Sequence, residues 1–447
     1  MDFIPLVIED FSKLETFYLT ESIIVILFNL LFLDNLRTAG KIFFLLFIYN
    51  KRKKESNNNY DTICNKRHKN KKRLSILIPA YNEESCIRNS IESAVNTPYP
   101  NKEIIVIDDG STDKTYQIAK EFADKGQIKL FKNKNGGSKS RALNLGFLHA
   151  TGDVIITVDA DTDFVNTNSL YNIMYGFEQE KKKYRTNPKN KIESHHDVSA
   201  IAGNVRVLHG DNHITNLLTD LQLFEFLVSM EIGRRFASIL NIILVISGGF
   251  GAFRRDAFGK VGKFDHDTIG EDFDLTLKIQ KLGTKIPFEE QSIVKTSCPY
   301  DLRGLVRQRT RWAYAQIQVL LKHRDVIWSS KYRMGLRLGV LHMWIMDVVM
   351  NFVWITGIVI TILFIIISQS SPESVPHIEL STYLLVFVNY LLLELSLFIF
   401  TNVASSKTNP MKLLYLIPIM VFVYRPLLRL VVLRAHVLAI LRKPVRW

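Results

Sequence analysis

Residues 74–84 read LSILIPAYNEE. An apolar run broken by one serine passes into a polar turn holding a tyrosine, an asparagine and two glutamates. A run too short for a helix and closed by turn residues reads as a strand buried on both faces. The pattern returns in EIIVIDD (103–109), followed by GSTD, and in GDVIITVDAD (152–161), which also ends in acids. Amphipathic stretches at 84–95 and 112–124 read as helices. This alternation predicts an α/β domain on an open mixed or parallel sheet, with ligands gathered at the carboxyl ends of the strands. The polar turns fall at those ends.

Beyond this middle region the chain changes character. Its 447 residues are 47% hydrophobic yet carry a net charge of +14, an odd pairing for one soluble domain. The charge is segregated. Residues 1–21 hold five acids against Lys13, residues 50–73 hold ten Lys/Arg against Glu55 and Asp61, and residues 407–447 hold eight Lys/Arg and no acid. Basic clusters beside apolar runs point to a lipid bilayer as partner and away from nucleic acid. Residues 340–367 contain one charge, Asp347, and residues 381–403 one, Glu394. Both exceed the roughly 20 residues a helix needs to span a bilayer. Residues 17–33 are an N-terminal candidate, and the basic run at 51–73 predicts a cytosolic middle region. Segment 413–441 is interrupted by Pro418, Arg425, Pro426, Arg429 and Arg434. It is expected as a re-entrant or tilted helix packed on protein. Acids and arginines at membrane depth either pair internally or line a path for a hydrophilic product, and both readings stay open. Cys64, Cys86 and Cys298 are too few and scattered for a disulfide framework or zinc site, which suits a reducing compartment. The acidic first twenty residues lack the basic start of a cleavable signal peptide. The expected organisation is membrane segments over 1–50, a basic linker over 51–73, a catalytic-type domain over 74–300, interfacial helices over 301–330 and a membrane region over 331–447.

The strand-end turns carry the chemistry. Tyr81 can stack on a flat base, and Glu83 with its turn backbone can reach a sugar hydroxyl. Asp108 and Asp109 repel each other and are costly as structure alone. A carboxylate there can accept the N–H of a uracil edge, and Ser111 or Asp113 would serve equally well as a helix cap. NGGSKSRALNLG (135–146) is a glycine turn opening a helix, suited to phosphate, with Lys139 as a mobile cation. Asp159 and Asp161 can aim their oxygens at one hard divalent cation that also takes phosphate ligands, with a solvated loop as the plain alternative. SGGFGAFRRDAF (247–258) precedes TIGEDFDLTLKIQKLG (268–283), where Glu271 and Asp272 open a helix. Acids there either complement the helix dipole or offer a fixed base to a hydroxyl. VRQRTRWAYAQ (306–316) crowds arginines beside a tryptophan shortly before an apolar run, as a basic helix on a membrane surface would.

The ordered set of Tyr-Asn-Glu, Asp-Asp-Gly, Asp-x-Asp, Glu-Asp and Gln308-x-x-Arg311-Trp312 resembles the processive membrane glycosyltransferases of family 2, which include cellulose, chitin and hyaluronan synthases. GNVRV (203–207), SGGFGAFRRDAF and the last motif look most like bacterial poly-N-acetylglucosamine synthases and chitooligosaccharide synthases. The resemblance covers about residues 74–325. It implies a GT-A-type cytosolic domain flanked by transmembrane helices, at the plasma membrane. It also implies inverting transfer from a UDP-sugar, UDP-N-acetylglucosamine by this likeness, to a growing β-linked polysaccharide that crosses the bilayer. Tyr81, Asp108 and Asp109 would hold uridine, with Ala80, Glu83 and Lys139 also among the nucleotide-sugar contacts. Asp161, with Asp159 near it, would bind Mg2+ or Mn2+ on the diphosphate. Asp272 would be the general base, Glu271 beside it. Gln308 and Arg311 would hold the leaving diphosphate, and Trp312 would stack under the acceptor sugar. Arg307 and Arg309, which the motif leaves unspecified, remain headgroup contacts. Gly270 stands where the family usually has threonine. A single-addition transferase acting on a lipid or oligosaccharide is the alternative, because it shares the donor site. Residues 178–199 read as a charged insertion whose His195 and His196 are solvated. An accessory subunit stays open.

Overall fold

A computed structural model describes residues 37–48, 72–133, 138–185, 198–208, 216–370, 388, 391–392, 394–401 and 414–443. The three expected strands form, as β1 (Leu74–Ala80), β2 (Lys102–Asp108) and, after β3 (Lys129–Lys132), β4 (Val154–Val158). With β5 (Thr162–Phe164), β6 (Ala200–Val207), β7 (Phe250–Arg254) and β8 (Phe288–Thr296) they make one sheet of order β3-β2-β1-β4-β7-β6-β8-β5. β1 to β4 pair in parallel, β7 is antiparallel to β4 and β6, β8 is parallel to β6, and β5 is antiparallel to β8. The sheet is therefore open and mixed. From β1 the chain steps outward to β2 and β3, then returns to lay β4 on the other side of β1. That reversal opens a crevice beyond the carboxyl ends of β1, β2 and β4.

Helices α1 (Ile87–Asn96) and α2 (Thr115–Asp124) start later than the amphipathic pattern suggests. The reason is local. The backbone N–H of Glu83 donates to Thr115 Oγ1 (2.7 Å) and that of Glu84 to Asp113 Oδ2 (3.1 Å), while Asn82 Oδ1 accepts from the Thr112 N–H (2.8 Å). The two strand-end turns thus bond to each other before either helix begins. Asp113 also accepts from the Thr115 N–H at 2.9 Å, so it, and not the Asp108-Asp109 pair, serves the start of α2. Helices α3 (Lys139–His149) and α4 (Ser169–Arg185) follow, then α5 (Leu217–Val228), a π-helical turn (Ser229–Arg234) and α6 (Arg235–Leu240). After β7 come α7 (Arg255–Val261) and α8 (Glu271–Lys281), and after β8 come α9 (Leu302–Lys322) and α10 (Asp325–Trp328). Ile76, Leu77 and Ile78 of β1, Ile105 and Ile107 of β2 and Ile155 of β4 lie fully buried in the main core.

At the amino ends of the strands, opposite the crevice, Glu103 pins the sheet. It accepts from Ser75 Oγ (2.6 Å), the Thr151 N–H (2.6 Å) and Thr151 Oγ1 (2.7 Å), and pairs with Lys129 (2.7 Å). Although burial opposes ionisation, these partners hold its carboxyl down at about 2. A depressed folded-state pKa stabilises above the unfolded value, near 4.5, and that stability is lost as pH falls towards 2. The full contribution is about 3 kcal/mol. Glu103→Gln is expected to lower Tm at pH 7 by several degrees, and to flatten the fall in wild-type Tm between pH 5 and pH 3, read by thermal unfolding in detergent.

The carboxyl-terminal third is helical where described. α11 (Met334–Met343) passes through a π-turn (Trp344–Val349) into α12 (Met350–Ser370). Later α13 (Leu416–Ile419) passes through a second π-turn (Met420–Tyr424) into α14 (Arg425–Ile440), which packs along α9. Met334–Gly357 and Leu416–Ile440 are long and apolar enough to cross a bilayer. Some of the charges within this region have partners in the protein. Glu394 accepts from Arg425, Asp347 accepts from Gln316 Nε2 (3.1 Å) and lies 3.7 Å from Arg37, and Arg429 sits 5.2 Å over the Trp354 ring. Residues 17–33, most of 381–403, most of the insertion at 178–199 with His195 and His196, and Cys64 lie outside the described residues.

Candidate active site

The turn after β2 depends on Gly110, whose φ of 85° is left-handed, and the turn after β1 places Asn82 there too, at 54°. Both turns are thereby folded back over the crevice. The two aspartates then divide. Asp109 is committed: its carboxylate accepts from Asn133 Nδ2 (2.9 Å) and the Ser138 N–H (3.3 Å). Burial nevertheless holds its carboxyl above the usual range. Among the described residues, Asp108 accepts only from the Ser111 N–H (3.3 Å), and its second oxygen is buried with no partner. A buried acceptor left open asks for a ligand donor. Tyr81 is exposed at the rim, whereas Ala80 is buried and gives its carbonyl to the Asp109 N–H (2.8 Å). Ala80 therefore shapes the site from behind.

Deeper in the crevice the acids crowd. Asp161 accepts from Thr162 Oγ1 (3.2 Å) and Thr296 Oγ1 (3.1 Å), yet burial, reinforced by Asp159 and Glu83, pushes its carboxyl up to about 7. Glu83 is raised as well, by burial and then by Asp159 and Asp113, against a hydrogen bond from the Cys86 thiol (3.0 Å) and the nearby charge of Arg311. Glu83 thus lies near the Asp159 and Asp161 group. Among the described residues no three His, Cys, Asp or Glu side chains converge as metal ligands. Asp159 and Asp161 still suit a hard dication, since two crowded carboxylates lacking enough countercharge are what such an ion relieves.

Lys139, the first residue of α3, is not a free phosphate hook. Its ammonium pairs with Asp159 Oδ1 and lies 3.4 Å from Glu271 Oε1. Burial works against its charge, but Asp159, Glu271 and Asp272 outweigh it and keep the lysine firmly protonated. At the amino end of α8, Asp272 Oδ2 accepts from the Gly248 N–H (2.8 Å) and Oδ1 from the Phe273 N–H (2.7 Å). A Cβ on Gly248 would sit 2.7 Å from Lys139 Nζ, so a side chain there would push the end of the lysine aside. The doubled glycine of SGGFG was the only sequence signal for it. Glu271 is buried beside them, and burial raises its carboxyl against the pull of Lys139. Arg234, in the π-turn, was missed altogether. Burial lowers its guanidinium to about 10, with Asp272 the opposing charge.

α9 brings the remaining motif to this floor. Asp274, fully buried in α8, accepts from Lys322 (2.8 Å), bonds His323 Nε2 (2.9 Å) and pairs with Lys278 (2.9 Å), and Gln318 Oε1 accepts from the Ile269 N–H (3.1 Å). These bonds lock α9 to the helix carrying Asp272. Among the described residues Gln308 Oε1 is buried without a partner, Arg311 is exposed in the field of Glu83, and Trp312 shows 41% of its surface. Arg307 is exposed, as a headgroup contact would be. Arg309 is not: it is 6% exposed, paired with Glu225 (2.7 Å) and set 4.4 Å over the Trp312 ring. At i and i+3 the two share a helix face, a spacing that the arginine-rich composition hid.

Residues 75–262 match the family described as glycosyl transferase family 2. This stretch is a family 2 glycosyltransferase domain. The chain is also 26% identical to a poly-β-1,6-N-acetyl-D-glucosamine synthase of Staphylococcus epidermidis over 397 residues, 88% of each chain. It is 27% identical to the Staphylococcus aureus enzyme of that name over 249 residues, 56% of each. A solved mannosyltransferase of Pyrobaculum calidifontis, in complex with GDP-mannose and Mn2+, superposes with a TM-score of 0.56 at 16% identity, covering 94% of this chain and 100% of that one. That likeness fixes the fold as GT-A-like. The protein is a glycosyltransferase.

Proposed function

We propose that this glycosyltransferase uses UDP-N-acetylglucosamine to extend a β-linked polysaccharide processively, and passes the product through the membrane formed around its apolar helices. The observation that carries the reading is Asp272. Two backbone N–H groups hold its carboxylate beside Lys139, which also meets Asp159 and Glu271, while Arg311 lies in the field of Glu83. The names of the staphylococcal relatives support the sugar and the polymer.

In this scheme Asp108 accepts the N–H of the uracil edge, Tyr81 stacks on the base, and Asp109 braces the neighbouring turn. Asp159 and Asp161 would hold Mg2+ or Mn2+, which when bound neutralises charge on the diphosphate. Arg311 and Gln308 face the departing UDP. Asp272 takes the proton from the acceptor hydroxyl as that oxygen attacks the anomeric carbon and the bond to UDP breaks, so configuration inverts. The donor brings its own leaving group, and catalysis consists of alignment and charge stabilisation. A second reading, single addition to a lipid or oligosaccharide, uses the same donor site.

Purified protein in detergent, screened across UDP-sugars for UDP release, tests the donor assignment. UDP-N-acetylglucosamine should give the highest rate, and an equal or higher rate with UDP-glucose overturns it. Chelation should remove activity and added Mn2+ or Mg2+ restore it. Asp161→Asn should lower the rate about 100-fold and raise the metal concentration needed for half-maximal activity.

A further inference from the structure

Arg309 is a buried cation that the motif leaves unspecified, and its neighbours give it a task. Glu225 of α5 takes two hydrogen bonds on one oxygen, Oε2: from Arg309 Nη2 (2.7 Å) and from the Tyr424 hydroxyl (2.7 Å). Tyr424 is 2% exposed, at the π-turn leading into α14, and packs with Leu221 and Phe224 of α5 and Leu305 of α9. The Arg309 guanidinium carbon then lies over Trp312, 4.4 Å from the ring centre, and Phe226 approaches the same indole at 6.3 Å. A guanidinium fixed at its far end by a carboxylate can hold an aromatic ring in place through its face. The carboxylate is in turn anchored by a hydroxyl from a helix long enough to cross the bilayer.

We propose that Tyr424, Glu225 and Arg309 are positioning residues that set the Trp312 ring as the platform for the acceptor sugar, and so tie acceptor binding to the membrane helix. This rests on Trp312 being the acceptor contact. The contacts that join the three run between α5, α9 and the π-turn before α14 and not to the strand-end turns, so they should act on acceptor affinity and leave donor affinity alone.

The test is steady-state transfer from UDP-N-acetylglucosamine to a short β-linked N-acetylglucosamine oligosaccharide, with donor binding measured separately by calorimetry. Tyr424→Phe removes one hydroxyl, and Arg309→Lys keeps the charge while losing the guanidinium over the ring. Both should raise the acceptor KM, by about fivefold or more, with kcat and donor Kd near wild type. Trp312→Ala should raise it further, and adding Tyr424→Phe to Trp312→Ala should bring no additional loss. An unchanged acceptor KM in both single variants, an equal loss of donor affinity, or full additivity with Trp312→Ala overturns the proposal. If Trp312→Ala itself leaves acceptor KM unchanged, the platform reading fails first, and the wild-type rate with UDP-N-acetylglucosamine still reports on the transferase reading separately.

Discussion

Asp272→Asn is expected to lower sugar transfer roughly 1,000-fold while UDP-sugar binding stays within about twofold of wild type. The asparagine oxygen can still accept from the Gly248 or Phe273 N–H, so the amino end of α8 keeps its place. What disappears is the proton acceptor. Comparing the single-turnover rate with donor affinity by titration separates these effects, and a parallel loss of donor binding would show that Asp272 is structural. Glu271 is the useful contrast, because its carboxylate is buried beside Lys139 and its loss should disturb the lysine before the chemistry.

The second large effect falls on α9. Arg311→Ala should cost about 100-fold in transfer, expressed mostly in kcat, because in the proposed scheme this cation faces the departing diphosphate and acts as charge develops. Lysine should restore part of this, since it keeps the charge without the planar fork. Arg307→Ala should leave the rate unchanged: both side chains are exposed, but it is Arg311 that lies in the field of Glu83. Equal losses at Arg307 and Arg311 would return the helix to membrane anchoring alone.

The sheet was legible because its central strands are uniform. LSILIPA, EIIVID and VIITV are apolar on both faces, and no other element satisfies such short runs. The antiparallel half was harder to read. β7 lies in a segment rich in glycine and aromatics, where Gly203 packs directly against the Phe250 ring and periodicity carries little information. The acids of the site announced themselves by sitting at strand and helix ends. Their division of labour did not, since it depends on which oxygen finds a neighbour. Asp109 spends both oxygens on Asn133 and Ser138 and Asp108 keeps one open, although the two are adjacent in sequence. Lys139 likewise looked free until folding brought Asp159 and Glu271 to it. Arg309 was misplaced at the headgroups because its partner Glu225 lies far back in the chain, and the second donor to Glu225, Tyr424, lies in segment 413–441, whose prolines and arginines read as a tilted helix.

The most direct measurement is the size of the product. Purified protein in detergent or vesicles is incubated with excess labelled UDP-N-acetylglucosamine and a divalent ion, and the product is sized after Asp272→Asn has been shown inactive under the same conditions. Processive extension at this site predicts long chains even at early times, when most acceptors remain unextended. A product that stops at one added sugar, with donor still in excess, contradicts it.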